Sequence, residues 1–200
     1  MKLLQLDLSD NSALRTAAES AAEVLKGGGI VLYPSDTVYG LMCSAMDPQA
    51  VDRIREAKGS EKGRPFILLV SGVPMASRIS DCTDPEVLGI LNNRWPGRLT
   101  LVLPARANCP VWVSSAAGTV AVRHPADPLS QEILRLCDFP LVSTSANRAG
   151  EEPVLDDGFL SQDLIQSANL VLLAGQLPPS APSTILQLLR SGSGSGPKHG

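Results

Sequence analysis

The sequence predicts an α/β protein, and three observations carry that prediction. Stretches with the 3.6-residue apolar period of a helix alternate with apolar runs too short to be helices. Asp-Pro occurs three times immediately before a helical pattern, at Asp47-Pro48, Asp84-Pro85 and Asp127-Pro128. The short runs are rich in Val, Ile and Leu, the mark of buried strands.

Taken in order, residues 13–26 place Leu14, Ala17, Ala18, Ala21 and Leu25 on one face and predict a helix. Gly27-Gly28-Gly29 ends it by tolerating a left-handed C-cap. Ile30-Val31-Leu32-Tyr33 follows as a buried strand stopped by Pro34. Each Asp-Pro supplies a side-chain acceptor at the N-cap and a preset φ at the first helical position. The faces that follow are Val51, Ile54 and Ala57; Leu88, Leu91 and Trp95; and Leu129, Ile133 and Leu136. Further strands are predicted at Phe66–Val70, Leu99–Leu103, Thr119–Arg123, Pro140–Ser143, Leu170–Leu173 and Thr184–Leu188, with a turn at Trp95-Pro96-Gly97. Residues 1–190 show no break in composition and are expected to form one domain; 191–200, S-G-S-G-S-G-P-K-H-G, read as a flexible tail.

The 200 residues are 44% hydrophobic and 18% charged, which excludes a disordered chain. Aromatics are 4%, too few for the base-stacking platforms of single-strand binders. The net charge of −3 and pI near 5.4 provide no overall basic field, so direct tRNA or DNA binding is expected to be weak or absent. Cys43, Cys82, Cys109 and Cys137 form no C-x-x-C pair, and only His124 and His199 are available as imidazole ligands. Reduced thiols and no protein metal site are the expectation. No signal segment and no membrane span is evident, so a cytoplasmic protein is expected.

Five segments are candidates for chemistry. Pro34-Ser35-Asp36-Thr37-Val38-Tyr39-Gly40-Leu41 offers hydroxyls, a carboxylate and a glycine after a strand; a capped turn is the alternative. Arg53, Arg55, Lys58, Lys62 and Arg64 run from a helix C-terminus into a loop suited to a polyphosphate, or simply balance the helix dipole. No G-x-x-x-x-G-K-[ST] loop exists, so any nucleotide is held another way. Arg123 ends an apolar strand and needs a carboxylate, from the protein or from a ligand. Ser143-Thr144-Ser145-Ala146-Asn147 is dense in small polar groups; a turn before Gly150 is the alternative. Pro182-Ser183-Thr184-Ile185 is a weaker version. No paired carboxylates or nucleophile elbow is seen.

Together these blocks resemble the YrdC-like family of threonylcarbamoyl-AMP synthases. The order is P-S-D-T-V-Y-G-L, A-K-G-S…R-P-F-I-L-L-V, W-P-G-R-L-T-L-V-L, T-V-A-V-R-H-P, P-L-V-S-T-S-A-N-R-A-G and P-S-T-I, spanning about residues 10–188. The resemblance implies a twisted open mixed sheet with flanking helices and a wide, positively lined cavity. It implies that L-threonine, bicarbonate and ATP give threonylcarbamoyl-AMP and pyrophosphate, with Mg²⁺ carried on the ATP phosphates. Downstream proteins would move the threonylcarbamoyl group to tRNA. By position, Thr37, Arg123, Ser143 and Ser183 would contact threonine, Arg123 through its carboxylate. Lys58, Ser60, Arg64, Thr119, Ser145 and Asn147 would lie on the nucleotide side, with Lys58 and Arg123 central to catalysis.

Two departures matter. The family's K-x-R element has arginine where Ser60 stands, so Lys62 or Arg64 would have to supply that charge. The arginine-bearing C-terminal segment of longer members is reduced to Arg190. A diverged paralogue that binds nucleotide or RNA without making the adenylate is the alternative. A carbamoyl-transfer module of the hydrogenase-maturation type is disfavoured by the absence of zinc-finger cysteines.

Overall fold

The computed structural model describes residues 1–60, 65–180 and 183–187. Among the described residues nine strands form one mixed sheet: β1 (Lys2–Gln5), β2 (Val31–Pro34), β3 (Tyr39–Ser44), β4 (Ile67–Leu69), β5 (Leu99–Pro104), β6 (Thr119–Arg123), β7 (Leu141–Ser145), β8 (Leu170–Leu173) and β9 (Thr184–Gln187). Their order across the sheet is β1-β8-β2-β3-β7-β4-β6-β5-β9. The helices are α1 (Asn11–Lys26), α2 (Pro48–Lys58), α3 (Val73–Ile79), α4 (Pro85–Arg94), α5 (Pro128–Cys137) and α6 (Gln162–Ser167). Helix α1 lies on α5 and reaches β8, β2 and β3, while α2 lies against β3 and α6. The α/β architecture of a mixed sheet flanked by helices is as the sequence predicts.

The Asp-Pro starts act as read. Asp47 accepts from the amides of Gln49 and Ala50, Asp84 from Glu86, and Asp127 from Ser130. Each such cap contributes about 1 kcal/mol. The helix α1 ending differs in detail: Gly27 keeps φ −80°, and the left-handed residue is Gly28, at φ +76°. On α4 the buried residues are Val87 and Leu91 rather than Leu88 and Leu91, and Trp95 lies just past the helix.

Strand ends move by a residue or two where pairing overrides local preference. Pro34 does not stop β2 but pairs with Tyr39. The strand predicted to end at Ser143 runs on to Ser145, so Thr144 and Ser145, for which a turn was the alternative, lie with Ser143 inside β7 opposite Leu41, Gly40 and Met42. Two strands escape the sequence reading. β1 is an exposed edge strand with weak apolar content, paired in parallel with β8. β3 was hidden in the block read as a turn: only residues 35–38 turn, and Tyr39–Ser44 returns antiparallel to β2, fully buried. Helix α3 starts from Gly72, with no side-chain cap, and α6 from Ser161, so neither carries an Asp-Pro signal.

Cross-strand register fixes which residues share a face. Tyr33 pairs with Gly40 and Gly40 with Ser145; Ser143 pairs with Ile67; Leu69 pairs with Arg123 and Arg123 with Thr100. With side chains alternating along each strand, these residues all face one side. That side carries the hollow described next. Gly40 is needed there: a Cβ at this position would stand 3.0 Å from Tyr33 Cε1 and 3.1 Å from the Thr144 carbonyl oxygen.

Candidate active site

A hollow of about 760 Å³ opens on this face, within the range of small-molecule sites. Its wall comes from parts of the chain far apart in sequence. The β2–β3 turn gives Ser35, Asp36 and Thr37; the end of α2 gives Lys58 and Ser60; the end of β6 gives Arg123; the start of α5 gives Asp127 and Ser130. β7 and the loop after it give Ser143, Ser145 and Asn147, and the approach to β9 gives Ser180 and Ser183.

Eight of the expected site residues therefore meet in one place: Thr37, Lys58, Ser60, Arg123, Ser143, Ser145, Asn147 and Ser183. Thr119 does not join them. It begins β6, four residues and roughly 13 Å of extended chain from Arg123. Its hydroxyl pairs with Ser115 Oγ at 2.7 Å, closing a turn. Lys62, Arg64 and Pro182 lie outside the described residues, as do Leu188 and the 191–200 tail. Tyr39, counted among the hydroxyls of the first block, is not in the wall. Its side chain takes the opposite side from Gly40, donates to the Gly175 carbonyl at 2.8 Å and accepts from the Ala174 amide at 2.9 Å. Burial pushes this phenol up to about 12.

Lys58 is 8% exposed, and its Nζ donates to the carbonyls of Ser145 and Asn147, each at 2.6 Å. The last turn of α2 is thereby tied to the S-x-N segment. Ser60 holds the Arg55 carbonyl through its amide at 3.0 Å. Arg55 in turn lies 4.7 Å over the ring of Phe66, another wall residue. The two ends of the basic loop are thus pinned to α2.

Arg123 is 6% exposed. Its Nη2 donates to Asp36 Oδ2 at 2.5 Å, and its Nε to the Gly97 carbonyl at 3.1 Å. The protein carboxylate that the sequence left open as a partner is Asp36. The Trp95-Pro96-Gly97 turn serves this contact, and only glycine fits there, since a Cβ would stand 2.5 Å from the Arg94 carbonyl oxygen. The turn carrying Thr37 is fixed as well. Ser35 Oγ donates to the Val38 carbonyl at 2.6 Å, and Ser180 Oγ donates to the Asp36 carbonyl at 3.1 Å. Tyr33 OH and Ser143 Oγ are 2.9 Å apart, and burial raises the Tyr33 phenol well above its usual value.

Sequence reasoning missed several wall residues. It found no paired carboxylates, yet Asp36 and Asp127, 91 positions apart, both line the hollow and interact electrostatically with each other and with Arg123. Asp127 was legible only as a helix cap, which it also is. Tyr33, Ser130, Arg148 and Ser180 carried no local signal; the cross-strand register that places Tyr33 is a tertiary fact. His124 lies beside the site but outside its wall, edge-on to Trp95 with ring centroids 6.1 Å apart. Among the described residues no group of three or more His, Cys, Asp or Glu stands together as a metal site, and all four cysteines are free and buried.

Known proteins share both sequence and fold with this chain. It is 39% identical over 134 residues to the threonylcarbamoyl-AMP synthase of Nitrosococcus oceani, covering 66% of this chain and 72% of that protein. It is 34% identical over 182 residues to the Alkalilimnicola ehrlichii enzyme of the same name, covering 90% and 94%. The fold matches that of P. abyssi Sua5 solved in complex with L-threonine, with a TM-score of 0.82 and 27% identity. That match covers 96% of this chain but 55% of the P. abyssi protein, so the chain spans little more than half of that longer relative. The Sua5/YciO/YrdC family model, described as "Telomere recombination", matches residues 23–195. With sequence, fold and the ordered motif blocks in agreement, this chain belongs to the Sua5/YciO/YrdC family.

Proposed function

We infer that the protein is an L-threonylcarbamoyladenylate synthase, a nucleotidyltransferase that makes threonylcarbamoyl-AMP and pyrophosphate from L-threonine, bicarbonate and ATP. The observation that carries this reading is the convergence of Lys58 and Arg123, from α2 and β6, on one hollow with Thr37, Ser143 and Ser145. The relatives named threonylcarbamoyl-AMP synthase, and the related Sua5 solved with L-threonine, support it. The product would serve proteins that transfer the threonylcarbamoyl group to tRNA. Among the described residues no helix is long and apolar enough to cross a membrane, and the proposed setting is the cytoplasm.

In this reading the threonine amine becomes a carbamate, a carbamate oxygen attacks the α-phosphorus, and pyrophosphate leaves. The protein's part is positioning and charge neutralisation. Arg123, steadied by Asp36 and Gly97, holds the amino-acid carboxylate. Thr37, Ser143 and Ser183 supply hydroxyls around it. Lys58, already fixed to the Ser145 and Asn147 carbonyls, brings one positive charge to the nucleotide side, where Ser60, Ser145 and Asn147 lie. Mg²⁺ enters as part of the substrate, on the phosphate oxygens of ATP.

The test is incubation with ATP, Mg²⁺, bicarbonate and L-threonine, with pyrophosphate and the adenylate measured. Pyrophosphate release that requires threonine supports the reading; release that ignores threonine, or none, defeats it. A second reading rests on Ser60, which lines the hollow where the family resemblance calls for arginine. On that reading the chain binds nucleotide without making the adenylate, and Ser60→Arg creates activity in an inactive wild type.

A further inference from the structure

The β2–β3 turn carries both Asp36, the partner of Arg123, and Thr37, and a single peptide unit joins them. That unit is planar, so fixing its carbonyl fixes ψ at Asp36 and φ at Thr37 together. The turn closes on itself through Ser35, whose amide donates to the Val38 carbonyl at 3.2 Å. The Asp36 carbonyl is held from outside the turn. Arg98 Nη2 donates to it at 3.1 Å, and so does Ser180 Oγ at 3.1 Å. The Ser180 hydroxyl also stands 3.3 Å from the Thr37 carbonyl. A carbonyl oxygen has two lone pairs, and both of these are taken. The residue before Arg98 grips the other member of the ion pair. The Gly97 carbonyl accepts Arg123 Nε at 3.1 Å, and the Gly97 amide donates to the His124 carbonyl at 2.8 Å. Residues 97 and 98 thus bracket the Asp36–Arg123 pair from both sides. The Arg98 carbonyl accepts the Thr184 amide at 2.9 Å, tying the bracket to β9 beside Ser183. Arg98 itself is exposed and stands outside the wall of the hollow.

We propose that Arg98 and Ser180 are positioning residues, which hold the Asp36 carbonyl and through it set the Asp36 carboxylate and the Thr37 hydroxyl. This rests on the reading that Arg123 and Thr37 hold L-threonine. Neither residue acts on the substrate; each removes a rotation of the turn before the substrate arrives. Without the two donors the 36–37 peptide unit turns more freely. The Asp36 carboxylate then steadies Arg123 less well, and Thr37 moves with it. Ordering the turn becomes a cost of binding, and the affinity for threonine falls. The nucleotide side is held separately, by Lys58 on the Ser145 and Asn147 carbonyls, so ATP binding is unaffected.

The experiment compares wild type, Arg98→Met, Arg98→Lys and Ser180→Ala. Methionine keeps an unbranched apolar stem and removes the donors, while lysine returns a donor to the same place. The KM values for threonine and for ATP are read from threonine-dependent pyrophosphate release, and thermal melting is followed by circular dichroism. For Arg98→Met the threonine KM should rise at least about fivefold, equivalent to roughly 1 kcal/mol. The ATP KM should stay within about twofold of wild type. Melting should stay close to wild type, because Arg98 is exposed. Arg98→Lys should recover most of the lost affinity, and Ser180→Ala should raise the threonine KM alone. An unchanged threonine KM in Arg98→Met, no recovery in Arg98→Lys, or both KM values rising together as melting falls, overturns the proposal and leaves the proposed function standing. An unchanged threonine KM in Ser180→Ala overturns the part given to Ser180. Should Arg98→Met fail to fold, Ser180→Ala is read in its place. A wild type whose pyrophosphate release ignores threonine overturns the proposed function and this positioning role with it.

Discussion

Replacing Arg123 with alanine should damage both the fold and the proposed chemistry, and the two effects can be separated. The side chains of Arg123 and Asp36 are 8% and 13% exposed, so solvent screens their 2.5 Å contact little. Removing one partner of a buried pair leaves the other charge uncompensated, which costs about 3–5 kcal/mol. For a chain of this size each kcal/mol moves the midpoint by about 2–4 °C, so thermal unfolding should drop by roughly 6–20 °C. The double variant Asp36→Ala, Arg123→Ala removes both charges and should lose less stability than Arg123→Ala alone. Activity is read as threonine-dependent pyrophosphate release at a temperature where the variant is folded. Loss of the carboxylate clasp should lower kcat/KM for threonine at least about tenfold in both variants, or about 1.4 kcal/mol of transition-state stabilisation. A folded Arg123→Ala enzyme with wild-type melting and wild-type kcat/KM would refute the reasoning at both levels. A double variant less stable than the single would refute the pairing argument alone.

Further outcomes follow from other parts of the site. Lys58→Ala should lower turnover at least about tenfold in the same assay, through loss of the positive charge and of the contacts that hold the Ser145 and Asn147 carbonyls; wild-type turnover would remove Lys58 from the mechanism. Gly40→Ala forces a Cβ against the Tyr33 ring and the β7 backbone, and denaturation should show a loss of about 1–3 kcal/mol. Burial, partly offset by the Ser130 amide, raises the Asp127 carboxyl above its ordinary 3.8. Between those two values the native state holds more protons than the unfolded chain, so this residue's contribution to stability falls as pH rises through that window. Urea titrations from pH 3.5 to 7 should show the stability of wild type relative to Asp127→Asn declining over that window; a flat or rising difference contradicts the assignment. The four cysteines are buried, and burial pushes the Cys43 thiol up to about 12. A thiol reagent at neutral pH should therefore label the native protein slowly and the denatured chain at all four positions.

Much of this molecule could be read locally, and the exceptions have a common cause. The three Asp-Pro helix starts, the apolar β6 and β8 runs and the ordered blocks around the site were legible because capping and burial act over a few residues. β3 was not, because Tyr39-Gly40-Leu41 looks like the end of a turn until its pairing with β2 and β7 is known. Ser143 and Ser145 have turn composition but lie in a strand, since the central position of β7 between β3 and β4 outweighs their weak preference. In the site, Arg123 announced its need for a carboxylate, but nothing local could choose Asp36 over a ligand. Asp127 shows the other limit: its role as a helix cap concealed that the same side chain faces a shared hollow. Thr119 fell the opposite way, matching a motif while its hydroxyl is engaged with Ser115.

The account depends on one hollow serving an amino acid and a nucleoside triphosphate at once. The most direct measurement is a crystal structure of the protein with L-threonine and a non-hydrolysable ATP analogue bound together. The account predicts the threonine carboxylate at Arg123 and the triphosphate on the Lys58 side of the same hollow, with the threonine nitrogen turned toward the α-phosphate. Either ligand bound elsewhere, or the triphosphate seated on Arg123, would contradict it.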